Sequence, residues 1–331
     1  MKALVYTRPN EVQLLERAAP ALLPGEAVLR IDAVGICGSD MHAYHGHDPR
    51  RQPGLVLGHE FAGTVVEGPA RGQRVTGNPL ITCGVCEYCV QGRNNLCADR
   101  TMVGMTRPGA FAEFMSIPTA SLIGLPEGMP ASHAALTEPA ATALHAIAVG
   151  ARALARPLPE ARVLVIGGGA IGMLASLLLR AYGARGVWTA ETNPLRRDSV
   201  ARHAASSTFD PREGPGLGES AYDLVIDAVG AAPTRTLMLS AVKPGGVVVH
   251  VGLQDWASEI DMRRLTLAEI TLIGTYTYST ADLRAAVDAL HRGRFGDLSW
   301  IEERPLADAA AAFQDLHHGR SASAKIVLRP H

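Results

Sequence analysis

Val163-Leu-Val-Ile166 followed by Gly167-Gly-Gly169-Ala-Ile171-Gly172 is the stretch on which the fold turns. Apolar residues of strand character run straight into a G-x-G-x-x-G turn, and Ala170 to Tyr182 continues with the pattern of an amphipathic helix. Gly167, Gly169 and Gly172 permit a tight turn and close approach of backbone to a pyrophosphate, whose charge then faces a helix N-terminus. Ile171 sits between them on the first turn. A glycine triplet alone is weak, because plain turns use it too, but here an acidic residue ends the next strand, Gly186-Val-Trp-Thr-Ala190. Glu191 falls where a carboxylate accepts from both adenosine ribose hydroxyls and repels a 2′-phosphate, which favours NAD over NADP. Arg196 and Arg197 nearby keep NADP open.

Outward from this turn the chain alternates strand and helix. A helix after Pro194 is followed by apolar runs at Tyr222–Asp227, Gly246–His250 and Ile270–Ile273. That alternation predicts an α/β, doubly wound parallel sheet. Before Glu138-Pro139 the texture differs, with short β-like runs such as Ala27–Val34 and Gly63–Val66 punctuated by Gly and Pro, so a compact, mainly β unit is expected there.

All five cysteines are placed where a metal can use them. Four form Cys83-Gly-Val-Cys86-Glu-Tyr-Cys89 and then Cys97, spacing that lets one loop wrap a tetrahedral Zn²⁺. Disulfides are the rival reading; they suit an exported chain, whereas Met1 to Thr7 runs directly into a strand with no signal peptide. Cys37 stands apart, upstream of Gly58-His59-Glu60, and thiolate, imidazole and carboxylate together make a ligand set for a second, open zinc. Only an open coordination position does Lewis-acid chemistry. Taken singly, Cys37 or His59 reads as an ordinary core residue.

With 331 residues, 47% of them apolar, the chain is long enough for two domains with separate cores. Its 31 Lys and Arg against 32 Asp and Glu are scattered, so neither a nucleic-acid footprint nor a membrane-surface patch is expected. The longest apolar stretch, Val163 to Leu179, is interrupted by glycines and reads as strand plus helix, with no spanning segment. Free thiolates and the missing export segment point to a reducing cytoplasm.

In order along the chain, Gly58-His59-Glu60-Phe-Ala-Gly63, the Cys83/Cys86/Cys89/Cys97 lobe, Glu138-Pro139 and the Gly167 to Gly172 turn resemble the zinc-dependent medium-chain alcohol and polyol dehydrogenases, in the branch of sorbitol, threonine and butanediol dehydrogenases. The resemblance implies a GroES-like β-barrel catalytic domain, 1–139 and 277–331, with a Rossmann NAD-binding domain, 140–276, inserted. The return crossing is placed near Thr275 to Tyr278, so that the helix from Ala281 and the last strand, Lys325–Leu328, rejoin the first domain. It implies two zinc ions per chain, one structural and one catalytic, and hydride transfer between a secondary alcohol, diol or small polyol and NAD to give the ketone. Cys37, His59 and Glu60 then cancel the charge of the catalytic ion. Ser39 resembles the hydroxyl that takes the substrate proton, and His42 the distal base that passes it to solvent. Glu138 either binds the metal directly or stands behind a water, or is simply the acid of a first helical turn. Thr142 and Ile171 align with positions flanking the nicotinamide, and Asp40 with a carboxylate that orients the ligands. Relatives are oligomeric, so a homo-oligomer, tetramer or dimer, is expected.

The resemblance departs from sorbitol dehydrogenases at Gly274-Thr-Tyr276-Thr277-Tyr278, where their arginine is absent; this counts against a carboxylate or phosphate contact there. Tyr44, Phe61 and Tyr276 are expected to line a mixed apolar pocket for a small secondary alcohol, diol or modest polyol. L-Threonine or a sugar alcohol is the alternative substrate. A non-catalytic NAD-sensing relative and a zinc-independent quinone or enoyl reductase are rival functions, though both fit poorly with a filled ligand set. His45 and His47 lack a cysteine or paired carboxylate to complete a third cage and read as a solvated loop, and His317-His318 reads as the exposed close of a helix before Gly319.

Overall fold

The computed structural model describes residues 1–214 and 216–331. Six strands of its second half form one parallel sheet in the order Ser207–Phe209, Gly186–Ala190, Arg162–Ile166, Tyr222–Asp227, Val242–His250, Thr271–Gly274. This is the doubly wound order expected from the alternating pattern. Val163, Leu164 and Val165 are fully buried, as a strand with helices on both faces requires. The first strand lies at the centre and the chain winds away from it to either side. A crevice therefore opens at the carboxyl ends of Arg162–Ile166 and Tyr222–Asp227, directly at the glycine turn. Gly167 has φ +99°, and a Cβ at Gly172 would collide with the Gly167 carbonyl oxygen, so both positions demand glycine. The helix Ala170–Ala181 then buries Met173, Leu174, Leu177 and Leu178 and closes at Tyr182 before Gly183, φ +75°.

The first unit is built from both ends of the chain. Its central strand, Glu26–Gly35, pairs antiparallel with Glu60–Glu67, Phe114–Pro118 and Lys325–Arg329. Lys325–Arg329 also pairs in parallel with Ile301–Pro305, so the last strand does rejoin the β unit as expected. Leu29, Ile31, Val65, Phe111, Ile117, Ile326 and Leu328 share its core.

The helix Thr280–His291 lies between the two units. It packs on Thr137–Ala153 and touches Ala131–Ala135, and its buried Leu283, Ala286, Val287 and Leu290 share one core with Leu174 and Leu178 of the nucleotide half and with Ala62, Ile123 and Met129 of the β unit. Each large apolar side chain so buried contributes roughly 1.5–3 kcal/mol. Among the described residues no helix is long and apolar enough to cross a membrane.

Candidate functional site

The central strand ends at Gly35, which pairs with Glu60, and a Cβ at Gly35 would collide with the Glu60 carboxylate. That register lays His59-Glu60 beside the turn carrying Cys37. Cys37 caps the helix Gly38–Tyr44, and its N–H donates to Asp40 Oδ2 at 3.0 Å. Ser39 and His42, three apart, fall on one helical face. The Cys37 sulfur, a His59 nitrogen and a Glu60 oxygen all lie within 4.8 Å of one another. His59 and Glu60 are buried and Cys37 is half-buried.

These donors fit a divalent ion. His59 Nδ1 and Asp40 Oδ1 stand 3.6 Å apart, both buried and neither with a hydrogen-bond partner. Burial alone would depress the His59 pKa, but Asp40 and then Cys37 outweigh it and push it well above the usual histidine value. A pocket that pulls a proton onto a buried imidazole is one built for positive charge. A sulfur, an imidazole and a carboxylate are the borderline-soft donors that suit zinc.

Two contacts alter the expected charge balance. Lys325 Nζ donates to Glu60 Oε1 at 2.7 Å and Oε2 at 2.5 Å, and to the Ile36 carbonyl at 2.8 Å. Glu60 is therefore no free carboxylate; its charge is matched by a buried lysine. Glu138, also buried, accepts from the Tyr278 hydroxyl at 2.8 Å. Burial, with Glu60 nearby, raises its pKa to about 7 despite His59, Tyr278 and Lys325. Were the Cys37 sulfur a thiolate and both carboxylates charged, a divalent cation together with Lys325 would balance them.

Ser39 Oγ lies 3.5 Å from His59 Nε2 and accepts from Arg51 Nη2 at 3.1 Å. Arg51 is buried and also donates to Asp48 Oδ2 at 2.7 Å and to the Gly104 carbonyl at 3.0 Å. With its oxygen accepting from a guanidinium, the Ser39 hydroxyl keeps its own hydrogen free to donate. The His42 pKa is lowered, first by burial and then by the positive charges of His47 and Arg51.

Cys37, Ser39, His42, His59, Glu138, Thr142, Ile171 and Tyr276 line one cleft of about 260 Å³, together with Arg50, Met102, Met105 and Leu253. It opens into a second of about 360 Å³ along Gly167, Gly169, Ile171, Gly172, Glu191 and Arg196, and Cys37 and His42 border both. The expected dinucleotide residues and the sulfur-imidazole set thus share one continuous crevice. A larger hollow of about 410 Å³ at Lys2, Glu303, Arg329 and His331 shares no residue with it. Glu191 Oε2 accepts from Gly168 N–H and Oε1 from Asn193 N–H, each at 2.7 Å, so the carboxylate braces the turn it faces. Arg197 is tied to the Glu191 and Thr192 carbonyls and to Asp210, whereas Arg196 has a buried Nε without a hydrogen-bond partner and borders the cleft.

Of the three aromatics expected to line the pocket, only Tyr276 does. Tyr44 is buried against Phe313 with its hydroxyl accepting from Gln314, and Phe61 lies in the β core. Methionines 102 and 105 and Leu253 form the apolar wall instead. Sequence reasoning also passed over Arg50, Arg51, Lys325 and Tyr278. The only signal was a charged residue opening an otherwise apolar strand, at Lys325. His45 Nε2 comes to 2.9 Å from His317 Nδ1, but among the described residues no third donor joins them.

The four cysteine sulfurs of the lobe also lie within 4.8 Å of one another, with Cys83–Cys97 at 3.6 Å and Cys83–Cys89 at 4.0 Å. Tetrahedral Zn–S bonds set sulfurs about 3.8 Å apart, so the cage fits zinc, and all five cysteines are unbridged. N–H groups of Val85 and Cys86 aimed at Cys83 bring that thiol down to about 7. The lobe grips the cleft wall: Asn95 donates to the Tyr276 carbonyl at 2.8 Å, Thr280 N–H donates to Asn94 at 3.2 Å, and Arg100 lies over the Tyr276 ring at 4.9 Å.

Residues 23–127 match the alcohol dehydrogenase GroES-like domain and residues 170–292 the zinc-binding dehydrogenase domain. The chain is 30% identical to an L-galactonate-5-dehydrogenase of Escherichia coli K12, over 95% of its own length and 94% of that protein's. It is 32% identical to an L-threonine 3-dehydrogenase of Sinorhizobium medicae, over 83% of each. A protein from Sinorhizobium meliloti 1021, solved with NADP bound, superposes with a TM-score of 0.87 at 28% identity, covering 99% of both chains.

Proposed function

The chain belongs to the zinc-dependent medium-chain alcohol and polyol dehydrogenase family, and from that premise we propose that it oxidises a secondary alcohol, diol or small polyol to the ketone with NAD as hydride acceptor. One observation carries the reading: Cys37, His59 and a buried carboxylate converge in the wall of the crevice that runs on to the Gly167–Gly172 turn. A zinc ion held by Cys37 and His59, with Glu60 and Glu138 sharing its charge, would supply Lewis-acid polarisation of the alcohol oxygen. Cys83, Cys86, Cys89 and Cys97 would hold a second, structural zinc. Ser39, its oxygen engaged by Arg51, takes the substrate proton; His42, on the same helical face, moves it outward. Thr142 and Ile171 flank the nicotinamide, and Met102, Met105 and Leu253 exclude water from the reacting carbon. The division is 1–139 with 277–331, and 140–276, with Thr280–His291 packed between the two. A cytoplasmic homo-oligomer completes the reading.

A panel of secondary alcohols, diols, pentitols and L-threonine, followed by NADH absorbance alongside metal analysis, tests it. Turnover of polyols or diols with about two zinc ions per chain supports the proposal. Activity confined to threonine would replace the substrate, and a metal-free active protein would turn the reading to a quinone or enoyl reductase.

This reading assigns the choice of cofactor to Glu191, whose carboxylate would accept from the adenosine ribose and repel a 2′-phosphate. In Glu191→Ala, the NAD-to-NADP ratio of kcat/KM is expected to fall by about 10- to 100-fold, the worth of hydrogen bonds to a charged group. Arg196 remains in place to receive the phosphate. An unchanged ratio would remove Glu191 from the selection.

His42 gives a pH prediction. Its lowered pKa keeps the ring neutral, and so able to accept a proton, at pH 7. Only as the pH falls below the ordinary histidine value near 6.5 does protonation block it and slow alcohol oxidation. His42→Gln is expected to lower kcat/KM by about 10- to 100-fold and to erase that acid limb. A pH profile of the variant that keeps the limb would assign it elsewhere.

A further inference from the structure

Arg50 stands in the lining of the substrate cleft with Tyr276, Glu138 and the Cys37–His59 pair, and it is the one guanidinium there. Its side chain is 54% exposed, at the rim. Asp48 fixes it. The Asp48 carboxylate is nearly buried, accepts from Arg50 Nε at 2.9 Å and Nη2 at 3.0 Å, and takes the Arg50 backbone N–H at 3.1 Å. The same carboxylate accepts from Arg51, whose other arm reaches Ser39 Oγ. One rigid turn thus joins the proton-accepting hydroxyl to the rim arginine.

Asp48 occupies only one edge of the Arg50 fork. Among the described residues Nη1 has no hydrogen-bond partner, which leaves a second edge for a planar anion. Holding an arginine at a cleft rim through a buried carboxylate limits the rotamer freedom that would otherwise be lost when ligand binds. A neutral alcohol offers that edge only uncharged hydroxyl acceptors, whereas a carboxylate gives it two parallel charge-assisted bonds. His42 supplies no rival charge, since burial holds its ring neutral at pH 7.

We propose that the substrate is a polyol ending in a carboxylate, a hydroxy acid of the aldonate class, with Arg50 gripping the carboxylate while a carbinol along the chain meets Ser39. This rests on the dehydrogenase reading and deepens it. The step is the same: the carbinol C–H leaves as hydride to NAD⁺ and its O–H proton passes by Ser39 to solvent, giving the keto acid, NADH and H⁺. A lone fork suits a singly charged carboxylate better than a phosphate dianion, which commonly draws several donors.

The test pairs molecules that differ only at the end carbon: gluconate, galactonate and idonate against sorbitol, galactitol and iditol, with hexitol phosphates as a third arm. In the zinc-loaded protein, at least one hexonate is expected to exceed its hexitol in kcat/KM by about 100-fold, chiefly through KM. In Arg50→Gln that ratio falls by about 50-fold or more, and Arg50→Lys, which keeps charge without the fork, recovers part of it. Quenching of bound NADH fluorescence by the hexonates follows the same order without turnover. A wild-type ratio at or below one, a ratio unmoved in Arg50→Gln, or a preference for the phosphates overturns the proposal. Neutral alcohols turned over while the ratio stays flat would sink Arg50 alone, whereas no alcohol of any class reducing NAD or NADP would sink the dehydrogenase reading itself.

Discussion

Cys37→Ala is expected to lose turnover by about 10⁴-fold or more while the protein keeps its fold and one of its zinc ions. The size follows from what the thiolate does. It is one of the two non-carboxylate donors in the Cys37–His59–Glu60 cluster, and the carboxylates already have partners, Glu60 with Lys325 and Glu138 with Tyr278. Without the sulfur, His59 and partly engaged oxygens hold an ion poorly, and the polarisation that lowers the barrier by several kcal/mol goes with it. Loss of His42 removes only a proton acceptor and costs far less. Cys37 is half-buried and caps a seven-residue helix, so its packing contribution is small and thermal unfolding should barely move. Steady-state kinetics with metal analysis decides the matter; turnover within tenfold of the parent would mean the site chemistry does not pass through this sulfur.

Cys97→Ala is expected to act in the opposite way, through stability first. Cys97 is fully buried, unlike its three lobe partners, and its sulfur lies 3.6 Å from Cys83. A structural zinc binds with an apparent free energy of about 10–16 kcal/mol in small domains, and a three-sulfur remnant forfeits much of that. Residues 83–92 then have little to hold them, because Val85 and Val90 are exposed and the lobe's helix, Glu87–Val90, buries none of its residues. The variant should carry one zinc fewer, be cut by protease within the lobe, and unfold at a temperature lower by ten degrees or so. Activity should fall as well, since Asn94 and Asn95 no longer support the Tyr276–Thr280 segment. A variant with full zinc content and an uncut lobe would show that three sulfurs suffice.

What could be read in advance was local in sequence. The glycine turn, the acid after the next strand and the cysteine run are short patterns whose spacing is itself the constraint, and the structure sets Gly167, Gly172 and Glu191 along one crevice and the four sulfurs in one cage. Cys37 and His59-Glu60, though separated, are joined by one antiparallel register. What escaped was set by long-range pairing. Glu60 and Lys325 are 265 residues apart and Glu138 and Tyr278 are 140 apart, and no periodicity announces either contact. Arg50 and Arg51 lie in a polar turn where arginine normally means solvent. Tyr44 and Phe61 were misplaced because proximity to a motif was taken as proximity to the cleft; Tyr44 faces Phe313 on the inward side of its helix. The helix Thr280–His291 lends its apolar stripe to both units, which chain order alone does not reveal.

The lysine that clasps Glu60 arrives on the strand Lys325–Arg329, 265 residues after its partner. During synthesis the ribosome therefore releases the thiol, the imidazole and the acid long before the cation that balances the acid. Until that strand slots in beside Gly35, the nascent pocket holds an unmatched negative group, and a competent centre waits on its arrival. Chains truncated before Lys325 should therefore be inert as well as unstable.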